Sequence, residues 1–180
     1  MTQVNEKILQ IDSFIMRPVQ ISDVDVLTAI WSDPAVTQFL PSRGACIPRE
    51  SVETVLISFI EHWNIYGYGV WAIEENSSSQ TIGYCGLRYL NEINDIEVLY
   101  GLAKDYWGRG IATKAAKAAI DFGFSKSGLK RIIALALPEN CASIRVMEKA
   151  GFQYEKTIHC FGLDAVCYAI YQEEITEDKC

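Results

Sequence analysis

Apolar positions recur at helical spacing in three stretches of the chain. Residues 22–32 open with a helix-start pattern and predict the first helix. Pro48 suits the first position of a second helix, and it is followed by apolar residues at intervals of three and four, namely Val52, Val55, Leu56, Phe59, Ile60 and Trp63. A third stripe begins at Ile111 and predicts a helix that ends between residues 123 and 128.

Short runs with strand-like composition lie between and after these stretches. They cover residues 68–74, 81–90, 92–102, 131–137, 152–158 and 165–171. Because strands outnumber helices and their order is mixed, we predict a mixed α/β (α+β) fold, with one twisted mixed sheet and helices on both faces. The 180 residues contain no internal repeat and predict a single domain over residues 1–180.

Charge and composition narrow the classes of function. The net charge of −7 argues against nucleic acid as a partner, because binding to phosphate backbones depends on a basic surface. The same charge suits a cationic substrate, and equally it suits mere solubility. We expect no membrane partner, since no apolar run approaches the length of a span and the polar start lacks a signal-peptide pattern. The six cysteines form no Cys-x-x-Cys pair and no Cys/His cluster, which predicts no metal site and a cytoplasmic setting.

A glycine-rich turn between a strand-like run and a helix is the clearest chemical signal in the chain. Gly108 and Gly110 flank Arg109, directly before the helix that begins at Ile111. Backbone N–H groups in such a turn, helped by the helix dipole, hold phosphate groups. The ending of a P-loop is absent, and a dinucleotide fingerprint fails because Thr113 stands at its third glycine. An ordinary turn before an amphipathic helix is the alternative interpretation.

Two further motifs follow this turn along the chain. The turn itself lies within Tyr106–Thr113 (YWGRGIAT), and Asn140-x-x-Ser143 and Lys149–Phe152 (KAGF) come after it. The set resembles the GNAT superfamily of N-acetyltransferases, and the resemblance extends over nearly the whole chain. Met16-Arg17-Pro18 resembles the first strand of the RimJ/RimL branch, which acetylates N-termini of ribosomal proteins and also includes enzymes for small amines. Trp107 stands where the superfamily usually has Gln or Arg, a departure that is common in this branch.

The resemblance implies two central parallel strands, residues 97–102 and 131–137, that splay apart as a V. Acetyl-CoA is then the co-substrate. Its pantetheine pairs with the backbone of the first strand, and its pyrophosphate lies on the glycine turn. Asn140 caps a helix or contacts the pantetheine amides, and these roles are compatible. The implied cofactor-binding residues are Leu99, Tyr100, Gly101, Leu102, Trp107, Gly108, Arg109, Gly110, Ile111, Ala112, Thr113, Asn140 and Ser143.

Acetyl transfer needs a neutral amine and a proton for the departing thiolate. Many members of the superfamily supply that proton from a tyrosine, but the corresponding position here is Met147. The RimL-type pattern implies Ser143 as the acid, with a plain polar residue of the first helical turn as the alternative. Glu97 matches the family's acidic strand position and is the candidate base through water, with an ion-paired strand carboxylate as the alternative. His159, on the expected late hairpin near the acceptor side, is a further candidate for proton transfer, and His62 is expected on a helix surface.

The function predicted from these features is acetyl-CoA-dependent transfer of an acetyl group directly to a primary amine. The acceptor is a protein or peptide N-terminus or a small amine, and the enzyme is a monomer or a homodimer. Deprotonation at pH 7 costs roughly 1 kcal/mol for an α-amine of pKa about 7.8 and about 4.6 kcal/mol for a lysine of pKa about 10.4, so a site without a strong base favours the α-amine. The alternative is a catalytically weak acyl-CoA-binding regulatory protein.

Overall fold

The computed structural model describes residues 6–173, so most of the polar start lies outside the described residues. The helices in this range are α1 (Val24–Trp31), α2 (Pro34–Thr37), α3 (Arg49–Tyr66), α4 (Ile111–Ser125) and α5 (Cys141–Ala150). The strands are β1 (Leu9–Ile11), β2 (Phe14–Pro18), β3 (Val70–Glu75), β4 (Thr81–Leu90), β5 (Asp95–Leu102), β6 (Arg131–Ala136), β7 (Gln153–Cys160) and β8 (Leu163–Tyr171).

The strands of the described range form one sheet in the order β1-β2-β3-β4-β5-β6-β8-β7. Neighbouring strands are antiparallel except for β5 and β6, which run parallel. The mixed sheet and its parallel central pair confirm the predicted fold class.

The two parallel strands pair through their backbones at one position only. Their register contains the single pair Glu97–Ile133, whereas β5 pairs with β4 over its whole length. Beyond Glu97 the strands therefore separate, and the edge of β5 that faces β6 has no strand neighbour among the described residues. This separation is the V that the family resemblance implies.

Helices cover both faces of the sheet, as predicted. On one face α4 packs closely through small residues, and Ala115 and Ala119 are fully buried there. Gly123 of α4 permits this close packing, because an added Cβ would lie 2.8 Å from a terminal methyl group of Leu87 on β4, which would have to move. On the other face α1 and α3 bury a second apolar cluster against β3 and β4, which includes Leu27, Trp31, Val52, Leu56, Phe59, Val70 and Tyr84. The two layers hold β4 and β5 firmly from both sides.

Helix boundaries differ slightly from the prediction near the start of the chain. The expected helix over residues 22–32 is a single 3₁₀ turn, Ile21–Asp23, followed by α1. Arg17 of β2 donates two hydrogen bonds to the buried Asp23 carboxylate, at 2.8 and 2.9 Å, and a third to Glu74 of β3 at 2.8 Å. This network joins the entry of α1 to the sheet. The second predicted helix is α3, which begins at Arg49, one residue after the predicted first position Pro48.

The tip of the hairpin formed by β7 and β8 contacts the turn between β4 and β5. Phe161 and Gly162 form its tip, and both have positive φ, which is typical of a tight two-residue turn. The Phe161 N–H donates to the Glu92 carboxylate at 3.0 Å. The Phe161 ring centre lies 5.9 Å from the Arg88 guanidinium carbon. These contacts bring the hairpin tip close to Arg88 on β4.

Candidate active site

The turn between β5 and α4 presents a row of unpaired backbone N–H groups. Gly108 and Gly110 have φ of +73° and +76°, which favours glycine. The N–H of Lys114 is the first in α4 to bond back along the chain, to the Gly110 carbonyl at 3.2 Å. Within residues 6–173 the N–H groups from Gly108 to Thr113 have no backbone acceptor. Because they stand at the positive end of a 15-residue helix, they favour an anionic ligand.

Side chains of the turn tie it to its surroundings. The indole N–H of Trp107 donates to the Leu102 carbonyl at 2.9 Å, which fixes the turn to the end of β5. The guanidinium carbon of Arg109 lies 5.0 Å from the centre of the Tyr106 ring. Arg109 and Lys114 also line a cavity of about 290 Å³ between α4 and the β1–β2 turn. Lys114 is ion-paired with Asp12 of the β1–β2 turn, so the glycine turn combines its free N–H groups with the cationic side chain of Arg109.

Along β5, the backbone N–H and C=O groups of successive residues point alternately towards β4 and towards the V. The Ala103 N–H, just after β5, donates to the carbonyl of Ile82 in β4 at 2.8 Å. In an antiparallel ladder the direction alternates from residue to residue, so the N–H and C=O groups of Gly101 also face β4. Those of Tyr100 and Leu102 face the V. An extended ligand in the V therefore meets the backbone of these two residues, of which the Leu102 carbonyl already accepts the Trp107 indole N–H.

The side chains of the same strand shape the two sides of the V differently. Leu99 packs against the cluster formed by α1 and α3. Gly101 has no space for a side chain, because an added Cβ would lie 2.7 Å from the ring and hydroxyl of Tyr84. On the opposite side the Tyr100 ring packs against the core beneath α4 and α5.

Ser143 lies in the first turn of α5, and Tyr100 reaches it from β5. Asn140 Oδ1 accepts the Ser143 N–H at 3.1 Å, so Asn140 caps the helix. The Ser143 hydroxyl lies 2.9 Å from the Tyr100 hydroxyl, which also donates to the Ser143 carbonyl at 3.1 Å. Met147 is buried one turn further on. The family resemblance implies a role only for the backbone of Tyr100. Side chains alternate along a strand, so the sequence does place the Tyr100 ring on the face of β5 opposite to Leu99 and Gly101.

Glu97 stands at the point where the V opens. The side chain of Arg88, directly opposite on β4, donates to its carboxylate at 2.8 Å. The residue is only 6% exposed, and this burial raises the pKa of Glu97 although the Arg88 charge opposes the shift. A raised pKa suits a base that works near neutral pH. The ion pair equally matches the alternative interpretation of a structural carboxylate.

Comparison with known families identifies the arrangement of turn, V and helix. Residues 13–153 match the model of the acetyltransferase (GNAT) domain, which includes all three elements. The chain belongs to the GNAT acetyltransferase family. The protein is accordingly an N-acetyltransferase, as the sequence motifs predicted.

Relatives of this GNAT protein agree with the assignment. It is 31% identical over 152 residues to the uncharacterised N-acetyltransferase p20 of Bacillus licheniformis, covering 82% of this chain and 83% of the relative. It is 36% identical over 122 residues to the spermidine N(1)-acetyltransferase of Escherichia coli K12, covering 63% and 64%. The RimL ribosomal L7/L12 alpha-N-protein acetyltransferase, solved with coenzyme A, aligns with a TM-score of 0.77 at 19% identity, covering 91% and 97%. At that identity the last comparison shows the shared fold.

The GNAT site suits a coenzyme A thioester on structural grounds. The free N–H groups of the glycine turn match a pyrophosphate, and the unpaired edge of β5 matches an extended chain of amides. Residues 6–173 contain no group of three or more His, Cys, Asp or Glu side chains arranged to hold a metal ion. In the same range no helix has the length and apolar character needed to cross a membrane.

The two histidines lie in different surroundings. The prediction of a surface position for His62 is wrong, because the end of α3 packs against β3 and β4. His62 is partly buried, its Nδ1 lies 2.9 Å from the Tyr68 carbonyl, and its Nε2 accepts the Tyr89 N–H at 3.0 Å. His159 is exposed on β7, and its Nδ1 lies 2.8 Å from the Asp164 carboxylate.

Proposed function

We propose that this protein is an acetyl-CoA-dependent N-acetyltransferase of the RimJ/RimL branch, a single domain over residues 1–180 that acts in the cytoplasm. The observation that carries the proposal is the continuity of the site: the open edge of β5 leads directly into the glycine turn. A single extended ligand with a pyrophosphate group can use both features. Acetyl-CoA has this form, and it supplies an acyl group activated as a thioester.

Each part of the site has a proposed role in holding the co-substrate. The backbone of residues 107–113 binds the pyrophosphate, and Arg109 adds a charge-assisted contact. The backbone of residues 99–102 pairs with the pantetheine, mainly through Tyr100 and Leu102. Asn140 keeps its capping bond through Oδ1, and its amide nitrogen remains available to a pantetheine carbonyl.

Two residues move protons in the proposed reaction. Glu97 acts as the base through a water molecule and takes the proton that the amine nitrogen loses, a role for which its raised pKa is suited. Ser143 acts as the acid for the departing thiolate. A backbone N–H of β5 that faces the V, such as that of Tyr100, polarises the acyl carbonyl.

The proposed acceptor is a primary amine, either a protein or peptide N-terminus or a small amine. A net charge of −7 attracts a cationic acceptor. The printed names of two relatives concern spermidine and the α-amine of a ribosomal protein, which are both primary amines. Since Glu97 is already paired with Arg88, the site lacks a strong free base, and an α-amine that is partly neutral near pH 7 has the lower barrier.

A second candidate function is a catalytically weak regulator that binds acyl-CoA. It is favoured by two observations: the Glu97 carboxylate is already paired with Arg88, and a buried methionine stands at position 147, where many family members have an acidic tyrosine. Titration calorimetry with acetyl-CoA, followed by thiol release across a panel of peptides and polyamines, separates the two functions. Binding with release in the presence of an amine supports the transferase. Binding with no release for any amine supports the regulator.

A further inference from the structure

Tyr100 links β5 to the helix that follows β6, and so joins the two elements on either side of the V. Its hydroxyl lies 2.9 Å from the Ser143 hydroxyl and 3.1 Å from the Ser143 carbonyl. The ring is held by the core beneath α4 and α5. Burial raises the pKa of the Tyr100 hydroxyl well above its usual range. The phenol therefore keeps its proton at physiological pH and remains able to donate a hydrogen bond.

The two hydroxyls have two possible arrangements of their protons. Each carries one proton, and three oxygens can accept: the phenol oxygen, Ser143 Oγ and the Ser143 carbonyl. When Tyr100 donates to the carbonyl, the Ser143 proton can point at the phenol oxygen. When Tyr100 donates to Ser143 Oγ, the Ser143 proton must point elsewhere. Rotation about two C–O bonds is enough to pass from one arrangement to the other.

We propose that Tyr100 is a positioning residue: during the transfer it donates to Ser143 Oγ and thereby directs the Ser143 proton at the departing sulfur. This inference rests on the proposed function and assigns a role to a side chain that the motif-based interpretation left unused. The amine nitrogen bonds to the acyl carbon, the carbon–sulfur bond breaks, and its electron pair goes to sulfur. Sulfur takes the Ser143 proton, the nitrogen releases one proton through Glu97 to water, and Ser143 recovers one from water. Tyr100 keeps its own proton throughout.

Three variants test the pair: Tyr100→Phe, Ser143→Ala and the double variant. Tyr154→Phe is the matched control, because Tyr154 is exposed on β7 and its hydroxyl lies 3.3 Å from the Thr157 hydroxyl of the same strand. We expect Tyr100→Phe to lower kcat by about tenfold to a hundredfold and to leave the KM for acetyl-CoA unchanged. This factor corresponds to the loss of one hydrogen bond that stabilises developing charge in the transition state. The double variant is expected to be no slower than Ser143→Ala, because Tyr100 acts through Ser143.

A second readout needs no turnover. Free CoA is bound to each variant, and the ionisation of its thiol is followed against pH by the ultraviolet absorbance of the thiolate. Wild type and Tyr154→Phe are expected to lower the pKa of the bound thiol, because a directed serine proton stabilises the thiolate. Tyr100→Phe and Ser143→Ala are both expected to lose this shift while still binding CoA.

Three results would overturn the inference. They are a kcat of Tyr100→Phe equal to that of the wild type, additive losses of kcat in the double variant, and a pKa of the bound CoA thiol in Tyr100→Phe equal to that in the wild type. Failure of the proposed function looks different. A wild type that binds CoA and acetylates no amine contradicts the transferase, and the thiol titration alone then decides whether Tyr100 directs the Ser143 proton.

Discussion

Replacing Gly110 by alanine tests the glycine turn against a matched position elsewhere in the chain. Gly110 has φ of +76°, and an added Cβ would meet nothing within 4 Å, so the substitution strains the backbone without a clash. Gly128, in the turn before β6, has φ of +66° and equally open surroundings. Left-handed strain costs about 1–2 kcal/mol for a residue with a Cβ. Both variants are therefore expected to lose a similar amount of folding free energy.

The two variants are expected to differ in their affinity for CoA. In Gly110→Ala the new methyl group stands among the free N–H groups of the turn, and relief of the strain turns some of them away from the ligand. Loss of one charge-assisted hydrogen bond removes about 1.5–3 kcal/mol, which weakens binding by about tenfold to a hundredfold. Gly128→Ala lies outside the turn and is expected to bind CoA like the wild type.

Chemical denaturation measures the folding free energy of both variants, and titration calorimetry measures their affinity for CoA. Equal destabilisation with weaker binding only in Gly110→Ala supports the phosphate-binding role of the turn. Equal affinity in the two variants would refute it, and the turn would then be an ordinary helix start.

Three further predictions concern the candidate base Glu97, the partly buried His62 and the ion-pair network of Arg17. Glu97→Gln is expected to lower kcat by about a hundredfold or more with unchanged CoA affinity; a loss of thermal stability at normal kcat would make Glu97 a structural carboxylate. Burial lowers the pKa of His62 in the folded state, so its contribution to stability is complete above the unfolded value of about 6.5 and is lost as the pH falls through the folded value. Urea unfolding from neutral to mildly acidic pH is expected to show this loss in the wild type and a smaller one in His62→Gln, and equal slopes would contradict it. Arg17→Met leaves the buried Asp23 carboxylate without its ion-pair partner and is expected to cost about 3–5 kcal/mol of folding free energy. The control Arg49→Met removes only exposed ion pairs and is expected to cost about 0–1 kcal/mol. A similar cost in both variants would contradict a stabilising role for the Arg17 network beyond that of a surface ion pair.

The elements that the sequence predicted well are those with a strong local signal. The apolar stripe that begins at Ile111 predicts a helix, and the structure has α4 there. The alternating and apolar runs likewise predict strands at the positions of the central strands. The glycine turn was recognisable because glycine tolerates the positive φ found at Gly108 and Gly110, and because the first N–H groups of a helix have no intrahelical acceptor. The V required the family resemblance, since nothing in the composition of β5 or β6 shows that their register stops after one pair.

The contacts that the sequence did not predict join residues that are distant along the chain. Tyr100 and Ser143 are 43 positions apart, and their hydrogen bond depends on how α5 lies on the sheet. His62 was misplaced because its helix stripe gave no sign that the end of α3 would bond to the Tyr89 backbone, 27 positions away. The Glu97–Arg88 pair spans nine positions, and the register of the β4–β5 hairpin would have revealed it.

Acetyl transfer to a peptide with a free N-terminus is the most direct test of the central claim. The protein is incubated with acetyl-CoA and either that peptide or its N-blocked, lysine-containing twin, and mass spectrometry locates the acetyl group while a thiol reagent counts the CoA released. We predict acetylation of the free α-amine with an equal amount of CoA released, and much slower reaction of the blocked twin. Faster acetylation of the blocked twin would contradict the preference for an α-amine. Tight binding of acetyl-CoA with no acetylation of these peptides or of any polyamine would contradict the assignment as an amine acetyltransferase.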